Sequence, residues 1–133
     1  MRVTELMVTD VQTVAPDAVV QDAATVLADS HISALPVVDG IGRMVGVISR
    51  TDILASEEEA EGEGTRQALM QESLVRDLMT SPALTIGPEA DIKEAAQQML
   101  YTGVHRLFVT ADNRVVGVIS TTDIVRAVAT GRL

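Results

Sequence analysis

Two short strings in the chain combine hydroxyls with a carboxylate at a fixed spacing. Ser49-Arg50-Thr51-Asp52 and Ser120-Thr121-Thr122-Asp123 both read Ser-x-Thr-Asp. Each follows Val-Gly-Val-Ile and precedes an Ile (Ile53, Ile124). A β-branched run of this kind reads as a buried strand. A Ser with an Asp three residues later is a helix-start signature, in which the Ser hydroxyl and the Asp carboxylate each accept a backbone N–H. Each string therefore delivers a strand into the positive end of a helix, a place suited to an anion. The plainer reading, that Asp52 and Asp123 are only caps, is common for one such string. Duplication of the whole string weighs against it.

The elements that position these residues are themselves duplicated. A shift of 72 residues lays Leu6-Met7 on Leu78-Met79, Thr13-Val14-Ala15-Pro16 on Thr85-Ile86-Gly87-Pro88, and Ala23-Ala24 on Ala95-Ala96. After a one-residue slip at a turn, Arg43 through Ile53 falls on Arg114 through Ile124. Two copies of about 50 residues are too few for an open solenoid and fit two halves of one closed unit. Each copy reads as a short turn (Val3–Met7; Val75–Met79) and an extended piece running into a proline (Val11–Val14; Ala83–Ile86). A helix follows (Val19–Ser30; Asp91–Thr102), with an Asp91-x-x-Glu94 capping box in the second copy and Gly103 as its stop. Then come a hairpin (Leu35–Val38 with Met44–Ile48; Leu107–Thr110 with Val115–Ile119) and a second helix (Arg50–Glu59; Thr121–Thr130). The order per copy is β-α-β-β-α. The acidic run 56–64 reads chiefly as a solvated linker, and Arg66–Ser73 as a short helix. The predicted division is 1–55, a linker with its helix at 56–74, and 75–133.

Composition narrows the functions. Hydrophobic residues make up 47% of the chain but aromatics only 2%, so the core is aliphatic and stacking platforms for single-stranded nucleic acid are missing. A net charge of −9 argues against a nucleic-acid backbone as partner. With no cysteine, disulfides and thiolate metal sites are excluded, and no other metal-ligand spacing stands out. No apolar run is long enough for a membrane span, and the first residues lack a signal-peptide core, so a soluble cytoplasmic protein is expected. No nucleophile–base constellation, phosphate loop or zinc motif is evident, so no enzyme is expected.

The strings LMVTDVQTVAPDAVVQDAA, SALPVVD and MVGVISRTDIL, followed by LMTSPALTIGPEADIKEAA, HRLFV and VVGVISTTDIV, resemble a CBS domain pair, the Bateman module. The resemblance runs from about Val3 to Val128 and implies an α+β fold of two tandem repeats packed as a pseudo-two-fold pair. It further implies two clefts for adenosine derivatives: AMP, ADP or ATP, with S-adenosylmethionine or NAD as alternatives. By that similarity one cleft combines Thr13, Val14, Ile32 and Ser33 with Ile119, Ser120, Thr122 and Asp123. The other, weaker one combines Thr85, Ile86 and Val104 with Ile48, Ser49, Arg50, Thr51 and Asp52. An ionised Asp suits a ribose diol, and hydroxyls beside a helix N-terminus suit phosphate oxygens. His105-Arg106, where the first copy has Ser33-Ala34, resembles the phosphate-binding positions in the nucleotide-sensing subunit of AMP-activated kinase. A capping His105 and a surface ion pair at Arg106 remain the alternative, and His31 reads as a surface or cap residue. The resemblance also implies a homodimer, through Ile124, Val125, Val128 and the Ala-rich helices, and an effector protein on another chain. No cofactor is required. A ligand-free dimerisation or interaction module is the competing function.

Overall fold

The computed structural model describes residues 1–133. In chain order the elements are α1 (Val3–Leu6), α2 (Val20–Asp29), β1 (Ala34–Val38), β2 (Met44–Ser49), α3 (Arg50–Glu59) and α4 (Glu63–Glu72). They continue with α5 (Val75–Leu78), β3 (Thr85–Ile86), α6 (Ile92–Thr102), β4 (Arg106–Ala111), β5 (Arg114–Ser120) and α7 (Thr121–Ala129). The chain is α+β and forms two compact units. One is Gln12–Ala83; the other joins Met1–Val11 to Leu84–Leu133.

The unit Gln12–Ala83 is built on the antiparallel pair β1–β2, with Leu35 opposite Ile48 and Val37 opposite Gly46. Its core is aliphatic: Val20, Ala23 and Leu27 from one face of α2 meet Leu35, Val37, Ile48, Ile53 and Val75. The expected opening strand of this repeat shrinks to a single parallel bridge, Val14 to Val37. The Val14 amide donates to the Pro36 carbonyl (3.1 Å) and the Val38 amide to Val14 (2.9 Å). Continuing the ladder backwards would need an N–H from Pro36, which has none.

The other unit carries Phe108 in place of Pro36, and there the opening strand forms: β3 runs parallel to β4, with Thr85 opposite Phe108 and Ile86 opposite Val109. β4 pairs with β5, placing Leu107 opposite Ile119 and Val109 opposite Gly117. Val3, Ile86, Ile92, Ala95, Met99, Leu107, Val109 and Ile119 form the core. Gly103 ends α6 in the left-handed region (φ 70°). Its counterpart after α2 is His31, which adopts the same region (φ 53°) without glycine's freedom. The expected capping box at Asp91 is incomplete. The Asp91 carboxylate accepts from the Lys93 amide (2.8 Å), and Glu94 makes no return bond. An Asx-type contact to the second helical amide replaces it, on a backbone already bridged to Arg2.

The first turn of each repeat docks on the core that contains the later part of the other repeat. The Val3 amide donates to Ala90 (2.8 Å) and the Val75 amide to Ala18 (2.8 Å), and both valines are fully buried. The residues that follow these turns run against the second hairpin strand. Val8 exchanges two backbone hydrogen bonds with Val118, and Thr80 two with Val47. This approach explains the glycine in each Val-Gly-Val-Ile. A Cβ at Gly46 would stand 2.8 Å from Met79 Sδ and from the Thr80 carbonyl oxygen. At Gly117 it would stand 2.7 Å from Met7 Sδ and 2.9 Å from the Val8 carbonyl oxygen.

The acidic run is more ordered than a linker. α3 continues to Glu59, Ala60 caps it, and Gly62 (φ 83°) turns the chain into α4, which starts at Glu63 rather than Arg66. α4 packs on α2 and α3, and Met70 reaches the core. No helix is long and apolar enough to cross a membrane.

Candidate functional site

Both Ser-x-Thr-Asp strings form strand-to-helix junctions with complete capping boxes. The Asp52 amide donates to Ser49 Oγ (3.1 Å), and the Ser49 amide donates to Asp52 Oδ2 (2.9 Å). In the other unit the Asp123 amide donates to Ser120 Oγ (3.2 Å) and the Ser120 amide to Asp123 Oδ2 (2.8 Å). Ser120 Oγ also approaches Asp123 Oδ2 at 2.9 Å. The second carboxylate oxygen, Oδ1, is free of the cap in both. Each Asp thus holds its own helix with one oxygen and turns the other away from the cap, and an ionised carboxylate oxygen accepts more than one hydrogen bond.

The first helical amide at each junction is already committed. Arg50 N–H donates to the Ser33 carbonyl (3.0 Å), and Thr121 N–H to the His105 carbonyl (2.9 Å). An anion here would therefore meet the hydroxyls of Thr51 or Thr122, both exposed, more readily than those amides. Ser33 and His105 occupy equivalent places, each tied by its carbonyl to its own junction.

Each unit carries a full set of the predicted residue types from its own members. In Gln12–Ala83, Thr13 is exposed, Val14 is buried beside β1, and Ile32 is half-buried against the core. Ile48 is wholly buried, and Arg50 is exposed with no carboxylate in ion-pair range. In the other unit Thr85 is half-buried and its carbonyl accepts from Gln98 Nε2 (3.3 Å). Ile86 and Ile119 lie in the core, and Val104 packs against it. His105 is exposed. Arg106 opens β4 opposite Ser120 and makes no ion pair, so its guanidinium is not spent on a surface partner. The residues expected to share the first cleft belong to different units: Thr13, Val14, Ile32 and Ser33 to one, His105 to Asp123 to the other.

Two residues absent from the sequence reading touch the carboxylates. Thr80 Oγ1 donates to Asp52 Oδ1 (3.3 Å), and Arg126 Nη1 lies 3.6 Å from Asp123 Oδ1. The signal was present in the repeat itself, where Thr80 aligns with Val8 and Arg126 with Ala55.

Two apolar grooves lie beside the junctions, and expected site residues reach both: Val104 and His105 line one, Arg50 the other. A groove of about 320 Å³ lies between α6 and α7, lined by Met99, Leu100, Val104, Ile124 and Val125 among others. A matching groove of about 250 Å³ lies between α2 and α3, with Leu27, Ile53 and Leu54 in its walls. Ile124 and Val125, with Ala96 in the first groove and Ala24 in the second, are among the residues expected for self-association.

Two equivalent units, each a small sheet backed by helices with a capped Ser-x-Thr-Asp junction, define a duplicated α+β protein. The chain belongs to the CBS domain family, which matches residues 3–59 and 75–130. It is 32% identical over 123 residues to the inosine-5′-monophosphate dehydrogenase of Methanocaldococcus jannaschii, covering 92% of this chain but 22% of that protein. The chain thus spans about a fifth of that relative's length. Among solved structures, CBSX2 from Arabidopsis thaliana in complex with AMP superposes with a TM-score of 0.82 at 28% identity, covering 99% of this chain and 98% of that one. The CBS domain pair of protein MJ0100, in complex with 5′-methylthioadenosine and S-adenosyl-L-methionine, gives 0.77 at 25% identity over 100% of this chain and 98% of that one.

Proposed function

We propose that this chain is a cytoplasmic regulatory module that binds an adenosine derivative, with AMP, ADP or ATP as ligand, and that it acts by binding rather than by catalysis. The observation that carries this reading is the capped junction whose Asp keeps Oδ1 beyond the cap, present twice in a family whose CBSX2 and MJ0100 members hold adenosine ligands. Asp123 and Asp52 are assigned to ribose hydroxyls, and Ser120, Thr122, Ser49 and Thr51 to the polar groups beside them. The extended segments Thr13–Val14 and Thr85–Ile86 are assigned to the adenine edge. His105 and the unpaired Arg106 are assigned to phosphate, where a planar guanidinium is well suited. The relative's dehydrogenase activity is not carried over to this chain. The module is proposed to pair as a homodimer through its apolar helical faces and to act on an effector protein.

Thermal unfolding against AMP, ADP, ATP, adenosine, S-adenosylmethionine and NAD tests this. A ligand at about 100 times its dissociation constant adds about 2.7 kcal/mol, which for a chain of this size raises Tm by roughly 5–15 °C. A shift with AMP but a much smaller one with adenosine supports both the function and the phosphate role of Arg106. A shift with S-adenosylmethionine alone keeps the ribose contacts and removes the phosphate argument. No shift with any compound refutes the sensor reading in favour of an interaction module.

A further inference from the structure

The two junctions differ at the carboxylate oxygen that lies beyond the cap. Asp52 Oδ1 accepts a hydrogen bond from the Thr80 hydroxyl (3.3 Å). Asp123 Oδ1 receives no such donor. Its neighbour is Arg126 at 3.6 Å, an ion pair whose cationic side chain is 68% exposed and screened by water. The cause lies at one position of the repeat. Thr80 is locked beside its junction by two backbone hydrogen bonds to Val47 (2.8 and 3.0 Å), and the approach depends on the missing side chain of Gly46. Val8 holds the same place beside the other junction through two bonds of 2.9 Å to Val118, against Gly117. The same backbone placement therefore carries a hydroxyl donor at the Asp52 junction and a valine, with no side-chain donor, at the other.

We infer that Thr80 makes the Asp52 junction the weaker of two ribose sites, because its hydroxyl fills one of the acceptor positions of Asp52 Oδ1, whereas Val8 brings no hydroxyl to Asp123. This rests on the assignment of both junctions to ribose hydroxyls given above. Thr80 acts through the Asp52 carboxylate, so it is a positioning residue of the site. Exchanging one hydrogen bond for another at a carboxylate corresponds to about a 3- to 10-fold difference in dissociation constant.

Calorimetric titration of the full chain with AMP, and in parallel with S-adenosylmethionine, tests the inference. Wild type is expected to show two classes of site, and Asp52→Ala to abolish the weaker. Thr80→Val, which copies the other repeat, is expected to tighten the weaker class about 3- to 10-fold and leave the stronger unchanged. Val8→Thr, at a half-exposed position, is expected to weaken the stronger class by a similar factor. Unfolding curves of both variants establish that they are folded. An unchanged weaker class in Thr80→Val overturns the inference. A weakened one also overturns it, and shows instead that Thr80 orients the carboxylate. Equal affinity at both wild-type sites overturns it too. A wild-type chain that binds neither compound refutes the ribose assignment itself, before any variant is made.

Discussion

Asp123 divides its two oxygens between two tasks, and the division can be measured. Oδ2 caps α7, while Oδ1 lies beyond the cap. Asp123→Ala is expected to lower stability by about 0.5–2 kcal/mol through loss of the cap. It should also weaken AMP by about 1.5–3 kcal/mol through loss of a hydrogen bond to a charged group. Denaturant unfolding and calorimetry separate the two effects. Reduced stability with unchanged affinity would make Asp123 a cap alone. The capping role was legible in the sequence because Ser-x-x-Asp geometry closes within one turn. Thr80 was not legible. It reaches Asp52 across 28 residues of chain, and only the bridge to Val47 brings it there.

At the level of elements, the glycines in Gly-Val-Ile-Ser mark where another strand passes. Gly117→Ala is expected to destabilise the chain by about 1–3 kcal/mol, because the new methyl must displace Met7 or the Val8 backbone. Gly46→Ala should act similarly through Met79 and Thr80. A urea midpoint that does not move for either variant would contradict this close approach. Helices and hairpins followed the periodicity and turn residues closely, since both are local signals. The opening strand of the first repeat did not, because its pairing depends on whether the facing residue has an amide to give. Pro36 removes that donor at the place where Phe108 retains it. The start of α4 was also misplaced, because Glu-rich sequence serves a helix as well as a solvated linker.

For the molecule as a whole, exposed apolar side chains gather on α6 and α7. Val125 is 64% exposed, Leu100 83% and Tyr101 87%, next to the larger of the two grooves. The proposed homodimer predicts a light-scattering mass of twice 14.1 kDa. Val125→Glu is expected to return the protein to a monomer, because a charge in an apolar contact is costly to desolvate. A wild-type monomer at high concentration would refute self-association. The duplication, the aliphatic core and the α+β class could all be read from residue patterns. The destination of the first turn could not. Val3 and Val75 occupy equivalent positions in the repeat, so nothing local says which core each one joins.

That destination has a consequence for how the chain is made. Gln12–Ala83 is one unbroken stretch, and its core can close while the rest is still being synthesised. The other unit joins two stretches, Met1–Val11 and Leu84–Leu133, that flank Gln12–Ala83 in sequence. Val3 is synthesised before the whole of Gln12–Ala83, yet it is buried only once the strands and helix that begin at Leu84 have followed it. Until then the apolar side chains of Val3, Leu6 and Met7 have no core to enter. The segment Val3–Met7 is therefore made before Gln12–Ala83 and packed after it. The vulnerable interval in biosynthesis is the wait between the two, when this short greasy stretch is open to chaperones and to other nascent chains.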